Sequence, residues 1–352
     1  MEKDLKMKIG NSSIGGDSPC FIIAELSANH NRNLQVAIDT IRAAKKAGAD
    51  AIKLQTYTPD TLTIDCNNEH FKIKGGTLWD GKTLYELYGE AYTPWSWHKQ
   101  LFEVAREEGL ICFSSPFDFT AVDFLEKLNV PAYKIASFEI QDIPLITHTA
   151  SKGKPIIIST GIAEETDVQL AVDTCRKAGN NDIILLKCTS SYPAPLELAN
   201  LNTIPDLKQR FKVEVGFSDH TYGFLAPIVA VTLGAKVIEK HFILDKSIGG
   251  PDADFSLDVS EFTEMVSKVR DAEKLLGTVS YEISDKVKNN KKFARSLFVC
   301  ENVKKGDIIT KENIRSIRPG YGLHPKYYDE ILGKIFSEDV QRGQPLSLKM
   351  IQ

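Results

Sequence analysis

The stretch Val213-Glu-Val-Gly-Phe-Ser-Asp-His220 is a short apolar run that breaks off into polar, chemically competent residues. Val237-Ile-Glu-Lys-His241 repeats the pattern downstream. A strand buried on both faces reads this way when its C-terminal end carries a site. Between the two, Phe224-Leu-Ala-Pro-Ile-Val-Ala-Val-Thr-Leu-Gly234 reads as a helix with Gly234 as its C-cap. Strand, helix, strand predicts parallel neighbours, with His220 and His241 at adjacent tips facing one pocket. Either histidine alone reads more readily as a hydrogen-bonded core residue. Two at equivalent strand ends point instead to a divalent metal.

Working outward, the same unit recurs. Cys20–Ala24 ends in Glu25, Ala51–Gln55 carries Lys53, and Leu110–Phe113 leads into Ser114 and Ser115. Ala132–Ile135 is followed by Ser137 and Glu139, Pro155–Ile158 by Ser159 and Thr160, and Ile183–Cys188 by Thr189 and Ser190. Helical stretches alternate with these strands, among them Leu34–Ala47, one capped by Thr93-Pro94 and running to Glu108, and Ser260–Leu276. Eight strand–helix units predict a (β/α)₈ TIM barrel over residues 1–280, with a hairpin in its first nineteen residues. A doubly wound sheet is the lesser alternative, because no Gly-rich dinucleotide fingerprint follows the first strand. Residues 57–92 read as one long loop, and the polar stretch 281–292 as a linker. Residues 293–352 read as a small, mostly β domain with short runs at Ser296–Cys300, Asp307–Thr310 and Ile314–Ile317.

A formal charge of −4 and a pI near 6.0 give no electrostatic basis for binding nucleic acid or an anionic membrane. The six cysteines form no CxxC pair and lie mostly in apolar runs, which predicts reduced core residues and a cytoplasmic protein. No apolar run is long enough to span a bilayer, so neither signal peptide nor anchor is expected.

In a barrel of this kind catalytic groups sit at the C-terminal strand ends. Those ends offer Glu25, Lys53, Gln55, Ser114, Ser115, Lys134, Ser137, Glu139, Ser159, Thr160, Lys187, Ser190, Ser218, His220, Glu239 and His241. Lysines and hydroxyls converging in one mouth make a cradle for phosphate or carboxylate. Lys53 and Lys134 stand out because each lies between apolar neighbours. A strand-end lysine also suits a Schiff-base aldolase, a reading that two histidines suited to metal activation argue against. The loop Gly249–Ser256 places Asp252 and Asp254 where they can clamp sugar hydroxyls, and Trp79 in the long loop offers a stacking surface.

Ala24-Glu-Leu-Ser-Ala-Asn-His-Asn31, Lys53-Leu-Gln55, Ala132–Ser137 with Glu139, Gly216–His220, Glu239-Lys-His-Phe242 and Gly250-Pro-Asp252 together resemble the sialic acid synthase family. The likeness runs nearly end to end, and the tail with Arg318-Pro-Gly320 resembles the antifreeze-like (SAF, β-clip) domain. The loops Gly75–Tyr85 and Gly249–Leu257 look most like the pseudaminate-making branch. The resemblance implies condensation of phosphoenolpyruvate with an open-chain amino sugar, for that branch 2,4-diacetamido-2,4,6-trideoxy-L-altrose. By motif position it implies that Lys53, Ser115, Lys134, Ser137, Ser190 and Ser218 hold phosphoenolpyruvate. Ser190 stands where neuraminate synthases carry asparagine. His220 and His241 are implied to bind Mn²⁺, with Mg²⁺ or Co²⁺ as alternatives. Gln55, Glu139, Tyr192 and Asp252 are implied to contact the sugar, and Glu25 to position the attacking water. The family also implies a domain-swapped homodimer in which Arg318 reaches the partner's sugar. The alternatives are N-acetylneuraminate or legionaminate synthesis and, from another class, a non-catalytic carbohydrate-binding protein.

Overall fold

The computed structural model describes residues 6–74, 76 and 79–352. They form two compact units, one ending at Gly277 and the other covering Thr278–Gln352.

The first unit is a closed barrel of eight parallel strands. A two-stranded hairpin, β1 (Met7–Ile9) and β2 (Ser12–Ile14), precedes it. The barrel strands are β3 (Phe21–Glu25), β4 (Ala51–Thr56), β5 (Ile111–Pro116), β6 (Tyr133–Ile135), β7 (Ile156–Ser159), β8 (Ile183–Cys188), β9 (Glu214–Asp219) and β10 (Val237–His241). They pair in chain order, and β10 closes on β3 with His241 opposite Glu25.

Strand alternation decides what fills this barrel. Phe21, Ile23, Ala51, Phe113, Ala132, Ile157, Ile184, Leu186 and Val237 form one apolar cluster, into which the hairpin sends Met7, Ile9 and Ile14. The opposite parity, including Ile22, Ile52, Ile158, Leu185 and Ile238, packs with the helices in a second, larger cluster. Two residues beyond the inner apolar cluster the chemistry changes. Glu25, Lys53, Ser115, Lys134, Ser159, Cys188 and Glu239 each stand two residues past one of its members, and all are buried. Gly216 is part of this packing, since a Cβ there would lie 2.3 Å from the Val237 carbonyl oxygen.

Three local expectations are corrected. The stretch 57–92 is not one loop: it contains helices Pro59–Leu62 and Leu84–Ala91, each opened by a threonine capping box, at Thr58 and Thr83. Gly75, Thr77 and Leu78 of the Gly75–Tyr85 loop lie outside the described residues. Thr93 does not cap the helix Trp95–Glu107, whose N-cap position is Pro94 without a side-chain bond; its hydroxyl instead meets His30 Nε2 at 3.1 Å. The stretch 281–292 is no plain linker either, because it winds into a helical turn Asp285–Lys288 and a 3₁₀ turn Asn289–Phe293.

In the second unit β11 (Ser296–Val299) and β12 (Ile314–Ile317) pair antiparallel. Leu297, Val299, Val303, Ile309, Ile314, Phe336 and Leu346 belong to its own small core. Asp307–Thr310 forms no strand and contributes an isolated bridge at Ile308 instead.

Candidate active site

The C-terminal mouth of the barrel is built around Glu239. Its Oε1 accepts from Lys134 Nζ at 3.1 Å and from Ser218 Oγ at 3.1 Å, and lies 3.8 Å from Lys53 Nζ. Lys53 is also paired with Glu25 and donates to Ser115 Oγ at 3.3 Å. Glu25 Oε1 accepts from the Ser27 backbone N–H at 3.0 Å and from Gln55 Nε2 at 3.3 Å. Two carboxylates and two ammoniums therefore alternate in a site with almost no solvent. Burying so many charges costs several kcal/mol per ion before pairing returns it, so the arrangement is weak evidence of stability and stronger evidence of function.

Burial pushes the Glu25 carboxyl up to about 7 against the pull of Lys53, with Glu239 adding to the rise. Burial also pushes Glu139 up to about 7, and its Oε2 has no hydrogen-bond partner. Glu239 moves the other way: burial opposes its charge, but Lys134 and Lys53 together hold it below the usual carboxylate range. Burial lowers Lys134, whereas at Lys53 the two carboxylates outweigh burial and raise it.

A second group of hydroxyls converges at Gly161. Its N–H donates to Ser137 Oγ at 3.2 Å, and a Cβ on it would stand 2.1 Å from Ser190 Oγ and 2.7 Å from Ser137 Oγ. Only glycine lets these two serines approach the loop after β7. Ser159 Oγ is buried there without a partner.

Beside the carboxylate–lysine cluster stand the two imidazoles, ring centroids 5.3 Å apart. His220 Nδ1 lies 3.2 Å from the Thr189 carbonyl oxygen, which can only accept, so Nδ1 carries a proton. Burial lowers this imidazole's pKa, but Cys188, its Sγ 3.7 Å from Nδ1, and the Thr189 carbonyl outweigh burial and raise it. His241 is held neutral, its pKa pushed well below the usual value by burial and then by His220. Its Nδ1 is buried without a hydrogen-bond partner, and the nearest acid oxygen, Asp252 Oδ2, is 3.7 Å away. Two imidazoles beside a carboxylate are a donor set that fits a divalent cation, which binds them in their deprotonated form. Among the described residues no three His, Cys, Asp or Glu side chains cluster as a ready metal site, so water or substrate would complete the shell. Tyr192 (4.4 Å from the His220 ring) and Phe255 (5.0 Å from the His241 ring) wall this side, and Trp79 packs 6.0 Å from Tyr192.

The barrel thus brings together Glu25, Lys53, Gln55, Ser115, Lys134, Ser137, Glu139, Ser190, Tyr192, Ser218, His220, His241 and Asp252. Arg318 belongs to the second unit, just beyond β12. The sequence named Glu239 and Ser159 only as strand ends and gave them no role; the signal was their spacing, two residues before His241 and two after Ile157. Lys187 is a correction of the opposite kind. One residue out of step with inward-facing Leu186 and Cys188, it turns to the helix layer, where it lines an outer cavity of about 620 Å³ with Asn202 and Arg210.

Residues 40–281 match the model of the NeuB family, and residues 294–352 that of the SAF domain. The chain belongs to the NeuB family. This NeuB chain is 53% identical over 340 residues to a pseudaminic acid synthase of Campylobacter jejuni, covering 97% of the chain and 98% of the relative. It is 49% identical to a pseudaminic acid synthase of Helicobacter pylori, over 95% of the chain and 98% of the relative. Among solved structures, an N-acetylneuraminic acid synthetase of Leptospira borgpetersenii superposes with a TM-score of 0.73 at 31% identity, covering 82% of this chain and 95% of that one. The sialic acid synthase resemblance and the barrel-plus-SAF architecture expected from the sequence are both borne out.

Proposed function

We propose that this chain is a pseudaminic acid synthase, a transferase that joins phosphoenolpyruvate, 2,4-diacetamido-2,4,6-trideoxy-L-altrose and water into a nine-carbon 2-keto acid and phosphate. The observation that carries the reading is the buried Glu25–Lys53–Glu239–Lys134 cluster sharing one mouth with two imidazoles whose ring centroids lie 5.3 Å apart. Lys53 and Lys134, with Ser115, Ser137, Ser190 and Ser218, hold the phosphate and carboxylate of phosphoenolpyruvate. Gln55, Glu139, Tyr192 and Asp252 contact the sugar.

His220 and His241 would hold the divalent ion, Mn²⁺ by preference, which polarises the sugar aldehyde as a Lewis acid. The C3 of phosphoenolpyruvate attacks that carbon, the aldehyde π electrons move onto its oxygen, which takes up a proton to become a hydroxyl, and positive charge develops at C2. The neighbouring carboxylates stabilise that charge. Glu25 orients the water that adds to C2 and takes its proton, as a group with a pKa near 7 is suited to do. The bond from C2 to the phosphate oxygen then breaks, and the two ammoniums stabilise the departing phosphate. The direct check is the purified protein with both substrates. Phosphate release matched one-to-one by a nine-carbon 2-keto acid supports the reaction, and phosphate release without a carbon–carbon bond contradicts it.

The raised Glu25 carboxyl makes the pH profile informative. Only the ionised form accepts the water proton, so kcat/KM for phosphoenolpyruvate should fall about tenfold per pH unit below about 7. In Glu25→Gln most turnover should vanish and the remainder lose that acid limb. An unchanged limb on a slow Glu25→Gln enzyme would assign the proton transfer elsewhere.

We place the enzyme in the cytoplasm, in keeping with its six free cysteines. No helix among the described residues is long and apolar enough to cross a membrane. We also propose a domain-swapped homodimer in which the SAF unit of one chain covers the partner's barrel mouth and Arg318 touches the sugar in trans. The unlike charges of the two units support this association: fourteen Lys and Arg against nine Asp and Glu from residue 278 onward, twenty-nine against thirty-eight before it. An Arg318→Ala chain mixed with a His220→Ala chain, each nearly inactive alone, should regain one working site per mixed dimer. No recovery despite demonstrated subunit exchange would mean that Arg318 acts in cis or not at all.

A further inference from the structure

Behind the two imidazoles, on the outer face of the barrel wall, lies a second pair of charges that the reaction does not use. Asp219 and Lys240 stand directly opposite each other where β9 pairs with β10. Each immediately precedes one of the histidines, so alternation turns their side chains away from the mouth while His220 and His241 face it. Both are almost completely buried, Asp219 at 1% and Lys240 at 0% exposure. Lys240 Nζ lies 2.7 Å from Asp219 Oδ2 and also donates to the Thr221 carbonyl, while Asp219 Oδ1 accepts the Thr221 N–H at 2.9 Å. Both backbone groups of Thr221 are therefore claimed by the pair. His220 sits between two residues, 219 and 221, tied to the side chain that precedes His241. The His220 carbonyl is taken separately by the Ala194 N–H at 2.9 Å.

A buried ion pair is a poor way to stabilise a barrel, since apolar side chains of similar volume do as well or better. What it supplies here is direction: two charges with fixed partners on the chain either side of one imidazole and next to the other. We propose that Asp219 and Lys240 are positioning residues that fix the spacing and orientation of His220 relative to His241, and thereby the affinity of the site for a divalent cation. The inference rests on the reading that the two histidines hold that cation.

The test compares Mn²⁺ binding, by calorimetry and by the Mn²⁺ EPR signal, in wild type, His220→Ala and the apolar pair Asp219→Leu/Lys240→Met. The apolar pair removes both charges together, so no unpaired charge is left to unfold the barrel. Its melting temperature should stay close to wild type while Mn²⁺ affinity falls 10–100-fold, the usual loss when support behind a metal ligand is removed. Its EPR signal should change, and kcat should fall with KM for phosphoenolpyruvate nearly unchanged. Wild-type Mn²⁺ affinity in a folded apolar pair overturns the proposal. If the apolar pair does not accumulate, Asp219→Asn/Lys240→Met is read by the same criterion, because asparagine keeps an acceptor for the Thr221 N–H and no unpaired charge remains. Lys240→Arg, which keeps charge and donors, should recover part of the affinity. Unchanged binding in His220→Ala as well would instead overturn the metal reading itself, which separates the two failures.

Discussion

His220→Ala and His241→Ala are each expected to lose bound Mn²⁺ and turnover together. The site has two imidazoles, one of them with a carboxylate oxygen at 3.7 Å, and no larger cluster of ligating side chains among the described residues. Removing one of so few ligands should cost more than the roughly 10–100-fold that follows loss of a supporting partner. Folding should survive, because each histidine occupies a strand tip beyond the apolar core and leaves no unpaired charge behind. Metal content by mass spectrometry, set beside phosphate release, checks the prediction. Wild-type activity after exhaustive chelation would sink the assignment.

Lys53→Met and Lys134→Met should each weaken phosphoenolpyruvate binding. A charge-assisted contact to an anion contributes roughly 1.5–3 kcal/mol, which corresponds to about 10–150-fold in affinity. The two substitutions differ in what they leave behind. Lys53→Met strands Glu25, and Glu239 keeps Lys134; Lys134→Met leaves Glu239 with the more distant Lys53. An uncompensated buried charge costs about 3–5 kcal/mol, so Lys53→Met should show the larger drop in melting temperature, and loss of the Lys53 pull should push the Glu25 carboxyl higher still. Titration of phosphoenolpyruvate against the folded variants provides the check. Unchanged affinity in both would move the anion cradle elsewhere in the mouth.

How far the sequence could be read depended on whether a residue's role follows from local spacing. Strands buried on both faces, such as Ile183–Cys188, announce themselves as apolar runs, and eight of them in alternation with helices leave few architectures open. The polar residue two past an inner apolar one is then a site candidate, which is why Glu25, Lys53 and Lys134 were legible; the two histidines stand a further step of two along the same face, after Ser218 and Glu239. The same rule, applied more strictly, separates inward Glu239 and Ser159 from outward Lys187. Glu239's role as the hub between two lysines was not legible, because it depends on side chains from β4, β6 and β9 meeting across the barrel. The helix Leu84–Ala91 was marked locally, by Thr83 with Glu86 three residues on, and was obscured by the Gly-rich stretch before it. In the SAF unit the pairing runs largely through isolated bridges, such as Val303 with Val340, and no two-residue period along the chain reveals those.

The central claim is the choice of sugar, and one measurement tests it most directly. The enzyme, with Mn²⁺ and saturating phosphoenolpyruvate, is offered 2,4-diacetamido-2,4,6-trideoxy-L-altrose, its D-manno counterpart and N-acetylmannosamine in parallel, and phosphate release is followed for each. The account predicts a kcat/KM for the L-altro sugar that exceeds the other two by orders of magnitude, with pseudaminic acid as the product. Preference for the D-manno sugar or for N-acetylmannosamine would contradict it and make the protein a legionaminate or neuraminate synthase.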